Sequence, residues 1–249
     1  MLRTLGIVQA CFRSPRFCRV IARKLGGQSL LEWVVRRVTD CTRLDGVIVV
    51  VCGRREHRCV AELVPADVPV FIGEQADALQ RFAAALEEYP AQAAVRVRGD
   101  NTFIDPGLID RLVTSAESQP NCDYASYCSR DGRPAILSPV GIYAEWFRSH
   151  SLRKAARAAK NPADREHLTR YLYSHPEKFN IRLIPAPAGI DRDDVRLSVN
   201  EEEDWEHTLA IYDALGPEAL DWQRIAGLLD QQPALRRKMA ALNRACAEG

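Results

Sequence analysis

The run Gly46-Val-Ile-Val-Val-Val-Cys52 constrains the fold more than any other stretch of this chain. A continuous β-branched segment with no polar alternation fits a strand buried on both faces, as in a parallel sheet covered by helices on each side. The surrounding pattern agrees. Leu5–Ala10, Val70–Ile72 and Ala93–Arg98 read as further short strands. Between them, Ser29–Val38, Arg55–Leu63, Asp77–Glu88 and Pro106–Glu117 carry apolar residues at helical spacing, the first behind a Ser N-cap and the last with proline in its first turn. Strand and helix in alternation predict an α/β fold: a mainly parallel, doubly wound sheet.

After about residue 119 the pattern loosens. Asp123–Cys128, Val140–Tyr143, Phe179–Ile184 and Val195–Val199 read as strands. Ala144–Ala159, Pro162–Ser174 and Trp205–Leu215 read as helices, and two amphipathic patterns, Trp222–Leu229 and Ala234–Ala245, make up the tail. We therefore expect one domain over residues 1–249. Residues 1–118 form its first half, 119–215 its second, and 216–249 a helical tail.

Composition narrows the function classes. A net charge of +1 argues against a nucleic-acid binder, and no apolar window is long enough to span a membrane. The eight cysteines include no C-x-x-C pair, and several lie in apolar runs, which predicts free thiols, no structural zinc and a reducing cytoplasm.

Three places carry residues suited to chemistry. Asp100 follows the strand Ala93–Arg98 and Gly99, where a carboxylate can hold Mg²⁺ against a triphosphate or simply cap a turn. Asp105, before Pro106, reads as a helix N-cap. The loop after the first strand holds Arg13, Arg16 and Arg19, which can neutralise phosphates or stand as a solvated basic turn. Asp164-Arg-Glu-His167, with Thr169 behind it, offers a base or metal ligand or a polar helix start. The acidic run Glu201–Asp204 reads as a first helical turn.

Taken together and in order, these segments resemble the cytidylyltransferases of the spore-coat polysaccharide and acylneuraminate type, which make CMP-activated sugars. The resemblance runs through Ile7-Val-Gln-Ala10, Leu25-Gly-Gly-Gln-Ser-Leu-Leu-Glu-Trp-Val34 and Arg96-Val-Arg-Gly-Asp-Asn-Thr-Phe-Ile-Asp-Pro106. It is densest over Asp164–Phe179 and continues through Arg196-Leu-Ser-Val-Asn200 and the tail Leu229–Asn243. It implies a Rossmann-like sheet of the glycosyltransferase-A kind, commonly a homodimer, that joins CTP to a sugar or sugar acid and releases pyrophosphate, with residues 1–118 as its nucleotide-binding half and 119–215 as its acceptor and dimerisation half. Carried over residue by residue, it puts Gln9, Ala10, Ser14, Arg16, Asp77 and Arg81 on the nucleotide and gives Arg16 and Arg19 the phosphates. It puts Mg²⁺ on Asp100 and Asn200, and the acceptor on Arg165, Glu166 and His167.

The departures fall around that site. Cys11, Arg13 and Val20 stand where the family's loop has an arginine, a glycine and a lysine. Asn200 replaces a second metal-binding aspartate, and Pro134 and Ile136 replace acids of the acceptor region beyond Asp131 and Gly132. Three readings follow: a CTP-dependent transferase, a catalytically silent relative kept for binding or scaffolding, or a transferase with another donor.

Overall fold

In the computed structural model, which describes residues 1–10, 15–53, 58–74 and 77–248, the buried runs assemble into one seven-stranded sheet. In chain order the first half gives β1 (Leu2–Gln9), α1 (Pro15–Ile21), a small hairpin of β2 (Lys24–Leu25) and β3 (Gln28–Ser29), α2 (Leu30–Thr39), β4 (Gly46–Cys52), α3 (Arg58–Ala61), β5 (Val70–Gly73), α4 (Ala78–Glu88), β6 (Ala91–Arg98) and α5 (Pro106–Glu117). The second half gives β7 (Tyr124–Cys128), β8 (Glu145–Arg148), α6 (Ser149–Ala158), α7 (Pro162–Glu166), α8 (Arg170–Tyr173), β9 (Ile181–Pro185), α9 (Glu202–Leu215), α10 (Trp222–Gln231) and α11 (Pro233–Glu248).

The strand order is β5-β4-β1-β6-β8-β7-β9. β1 pairs in parallel with β4 and β6, while β8 runs antiparallel to both β6 and β7. Alternate residues face opposite layers. Leu5, Ile7, Val50 and Ala94 meet α4, α6 and α8 through Phe82, Leu152 and Leu172. Val8, Val49, Val95 and Trp146 meet α2, α5 and α10 through Val34, Leu112 and Ile225. No helix among the described residues is long and apolar enough to cross a membrane.

Caps set the helix starts where the sequence predicts them. Ser29 accepts from the Glu32 amide at 3.1 Å, Asp77 from Gln80 at 2.8 Å and Asp105 from Leu108 at 2.9 Å. Asp204 accepts from the amides of Asn200 and Glu201, so the acidic run opens α9 as expected.

Four expectations are corrected. The region read as one helix over Ala144–Ala159 begins with strand β8, and Val140–Tyr143 is irregular chain leading into it. Glu-Trp-Phe-Arg is too short to show a period, yet its register on β6 places Trp146 against Val95 and Phe147 against Ala94. The helix expected over Pro162–Ser174 is two, α7 and α8, interrupted at His167–Thr169, where the Thr169 hydroxyl donates to buried Glu145 at 2.6 Å. Val195–Val199 joins no strand of the sheet. Its amides serve loop carbonyls instead: Leu197 donates to Pro139 at 3.1 Å and Val199 to Asp100 at 3.3 Å.

Candidate active site

The carboxyl ends of β1, β4, β5 and β6 lie along one edge of the sheet, and the strand order reverses between β1 and β6. That is the point at which open α/β sheets bind ligands. Gln9 ends β1 beside Arg98, which ends β6, and the Gly99 amide donates to the Gln9 carbonyl at 3.0 Å. Cys11, Arg13 and Ser14 lie outside the described residues, as do the side chains of Pro15, Arg16 and Phe17 on α1. Arg19 is exposed near the end of that helix.

Val20, at the position of the family lysine, is buried with Leu25, Leu30, Val199 and Trp205. The end of α1 is thereby tied to the Asn200 segment by apolar packing. Gly26 makes the hairpin beneath possible: its φ is +58° and a Cβ there would meet the Tyr212 hydroxyl at 2.1 Å.

A cleft of about 420 Å³ opens beside Arg98. Arg98 and Asn101 from the end of β6, Tyr143 before β8, His167 between α7 and α8, and Arg196 and Asn200 before α9 line it. Asn243 and Cys246 of α11 close one side. No carboxylate belongs to this lining among the described residues. The acids stand behind the arginines instead. Asp100, wholly buried, accepts from Arg98 Nε at 2.9 Å and Nη2 at 2.6 Å, and buried Asp204 accepts from Arg196 Nε at 2.5 Å and Nη2 at 2.9 Å. Asp100 holds the Arg98 guanidinium above its ordinary pKa by charge attraction. Arg196 is raised as well: burial opposes the shift, and hydrogen bonding and charge attraction to Asp204, together with Cys246, outweigh that opposition.

The Tyr143 hydroxyl is buried with no hydrogen-bond partner among the described atoms, and burial pushes its pKa far up, so it stays a neutral donor. Such a group is costly unless a ligand satisfies it. Gly141, with φ of +69°, lets the Ser198 backbone pass directly beneath: a Cβ would fall 2.6 Å from the Ser198 nitrogen.

The other expected site residues spread around this cleft. Gln9 is buried and accepts from Arg96 Nε at 2.7 Å, while Arg96 Nη1 reaches Glu145 at 2.6 Å. Ala10 is buried beside it, its amide on the Val50 carbonyl at 2.9 Å. Arg81 is buried at the ends of β4 and β5, with Nη2 3.5 Å from the Cys52 thiol. Asp77 and Arg165 are joined to each other, Glu166 is half-buried, and His167 reaches the cleft.

Asp100 and Asn200 are brought together, since Val199 bonds the Asp100 carbonyl and Asn200 comes next. As a donor set for Mg²⁺ they fit poorly. Both Asp100 oxygens carry Arg98, and Asn200 is an exposed amide whose Nδ2 donates to Ser198 at 3.1 Å. Hard divalent cations want several oxygen ligands, carboxylates first. Arg98, Tyr143 and Arg196 were given no role from sequence. The two arginines lie inside matched motifs, and only their long side chains beside Asp100 and Asp204 could have drawn attention to them.

The family pattern for cytidylyltransferases matches residues 5–241. The chain belongs to the cytidylyltransferase family. An uncharacterised protein of Methanocaldococcus jannaschii is 30% identical over 236 residues, covering 94% of this chain and 93% of that one. The spore coat polysaccharide biosynthesis protein SpsF of Bacillus subtilis is 27% identical over 218 residues, covering 85% and 87%. Among solved structures, a cytidylyltransferase from Leptospira borgpetersenii superposes with a TM-score of 0.82 at 22% identity, covering 94% of this chain and 97% of its own, a likeness of fold.

Proposed function

We propose that this chain transfers a cytidylyl group from CTP to a sugar or sugar-acid acceptor. The nucleotide lies over the carboxyl ends of β1, β4, β5 and β6, near Gln9, Ala10, Ser14, Asp77 and Arg81, with Arg16 and Arg19 of α1 on its phosphates. The acceptor lies in the cleft against Tyr143, His167 and Arg196, and Arg98 stands where that cleft meets the nucleotide. The observation that carries this reading is the cleft itself, which offers guanidinium, amide and hydroxyl groups, and its lining holds no carboxylate among the described residues. An anionic, many-hydroxyl acceptor suits such a wall.

The acceptor oxygen attacks the α-phosphorus in line, the bond to the β-phosphate oxygen breaks, and pyrophosphate leaves with the electron pair. His167 at the cleft wall takes the hydroxyl proton. Positioning and charge stabilisation supply the acceleration. Arg165 and Glu166 support that wall from α7. The product class is a CMP-sugar for polysaccharide assembly in the cytoplasm, and the working unit is a homodimer.

Calorimetric titration of CTP, with pyrophosphate release followed over a panel of sugars and sugar acids, tests the reading. Release that requires one acceptor supports it. Absence of CTP binding at millimolar concentration refutes it. A second reading, nucleotide binding without transfer, is favoured by Val20, which puts apolar packing at the family's lysine position. Saturable CTP binding with no release under any acceptor selects that one.

A further inference from the structure

The disagreement at the metal position leads to a specific inference. Arg98 is the last residue of β6, in register with Gln9, from which the chain leaves for the loop assigned to the nucleotide's phosphates. The Arg98 side chain is about one-third exposed and lines the cleft, while its partner Asp100 is wholly inaccessible. Asp100 uses both oxygens on the Nε–Nη2 edge of that guanidinium. Asn200, the other position of the expected pair, is neutral.

Charge accounting makes the arrangement self-consistent. Two carboxylates around a divalent cation sum to zero. One carboxylate with one guanidinium also sums to zero, and here the second carboxylate is missing together with the need for the second positive charge. A planar guanidinium suits phosphate oxygens as well as carboxylates. Binding a dication at Asp100 instead would first require breaking a two-point ion pair whose acid is buried, a costly step.

We propose that this chain holds its nucleotide's phosphates without a divalent cation, the Arg98 guanidinium, fixed on Asp100, occupying the place where the cation's charge is required. The proposal rests on the nucleotide site assigned above.

The test measures binding rather than turnover. CTP and inorganic tripolyphosphate are titrated calorimetrically into the whole protein, in excess EDTA and again in Mg²⁺. The wild type should bind CTP in EDTA no more weakly than in Mg²⁺, since its phosphates are held by the guanidinium rather than by a bound cation. Arg98→Gln should weaken binding in EDTA by about tenfold or more, the loss expected for a charge-assisted phosphate contact. Mg²⁺ should recover part of that loss in the variant, because Asp100 is then released to act as a ligand. Asp100→Asn, which keeps the guanidinium but loosens its hold, should weaken binding alike in the two buffers and by less than Arg98→Gln does, whereas in a metal site it would abolish only the Mg²⁺-dependent binding. A thermal melt of each variant establishes that it is folded.

CTP binding by the wild type only in Mg²⁺ overturns the inference and leaves the nucleotide reading standing. Unchanged EDTA affinity in Arg98→Gln also overturns it. Tripolyphosphate binding in EDTA that Arg98→Gln removes, with no CTP binding, sustains the inference and removes the CTP reading. No binding of either ligand in either buffer overturns both.

Discussion

Arg165 donates from Nε at 2.9 Å and from Nη2 at 2.7 Å to one oxygen of Asp77, while the other oxygen of Asp77 caps α4 through the Gln80 amide. Two residues separated by 88 positions, expected on opposite substrates, thus meet each other. The same guanidinium reaches the Ala159 carbonyl at 2.9 Å, so α7 is fastened to both α4 and the end of α6. The pair holds the Asp164–His167 segment in place, and through it His167 at the cleft wall.

A double-mutant cycle of Asp77→Ala and Arg165→Ala measures that coupling. Both side chains are mostly buried, so the interaction energy should be on the order of 1 kcal/mol, above a typical surface pair. Asp77→Ala should cost a further ~1 kcal/mol for the lost cap. Urea unfolding of the four proteins gives both terms, and a coupling indistinguishable from zero removes the fastening role.

Glu145 is the most committed buried acid of the sheet. It accepts from Arg96 at 2.6 Å, Tyr124 at 2.5 Å and Thr169 at 2.6 Å, and Gln9 holds the other side of Arg96 at 2.7 Å. One carboxylate therefore links β1, β6, β7, β8 and the break between α7 and α8. Burial, with the nearby Glu145 charge, pushes the Tyr124 phenol well up, so it remains a donor. Glu145→Ala strands Arg96 in the layer under the sheet and should lower stability by about 3–5 kcal/mol. Glu145→Gln keeps the shape and should lose roughly 1–3 kcal/mol. Equal, small losses in denaturant unfolding would show that water replaces the carboxylate at no cost.

These relationships also show which parts of the molecule the sequence discloses. Gly46–Cys52 is legible because a strand covered on both faces has no polar alternation, and Ser29 and Asp105 are legible because caps act within three residues. Glu145–Arg148 is not: four residues show no period, its first residue is an acid facing a buried network, and α6 follows without a turn. Val195–Val199 alternates like a strand, yet its amides meet Pro139 and Asp100, carbonyls supplied by distant loops. The site divides in the same way. His167 stands in a dense local motif, whereas Arg98 and Tyr143 gain meaning only from what burial does to Asp100 and to a hydroxyl in the irregular chain before β8.

Val20 gives a sharper test of how the end of α1 is packed. Its side chain packs with Leu25, Leu30, Val199 and Trp205, and Arg23 lies over the Trp205 ring at 5.3 Å while pairing with Glu202. Val20→Lys must push a longer, charged side chain through that cluster toward a neighbouring guanidinium. A loss of about 1–3 kcal/mol is expected from overpacking and desolvation. Val20→Ile should lose less than ~1.5 kcal/mol. Thermal melts of the two variants decide it: a lysine variant as stable as wild type would mean that the position opens freely to solvent.

His207 on α9 sets a pH dependence of stability. It is 5% exposed, and its Nδ1 has no hydrogen-bond partner among the described atoms. Burial lowers its pKa below the ordinary 6.5; Asp204 and Glu206 oppose the shift, and Lys238 and Arg196 add to it. The unfolded chain therefore takes up a proton near the ordinary value while the folded one stays neutral. Stability is complete above pH 6.5 and falls as pH drops from there toward the folded-state pKa. Over that window the slope from this one group approaches at most about 1.4 kcal/mol per pH unit. His207→Gln should flatten it. Urea midpoints compared between about pH 8 and about pH 5.5 read the effect, before the carboxylates titrate appreciably. An identical slope in the variant would assign the acid sensitivity to other groups.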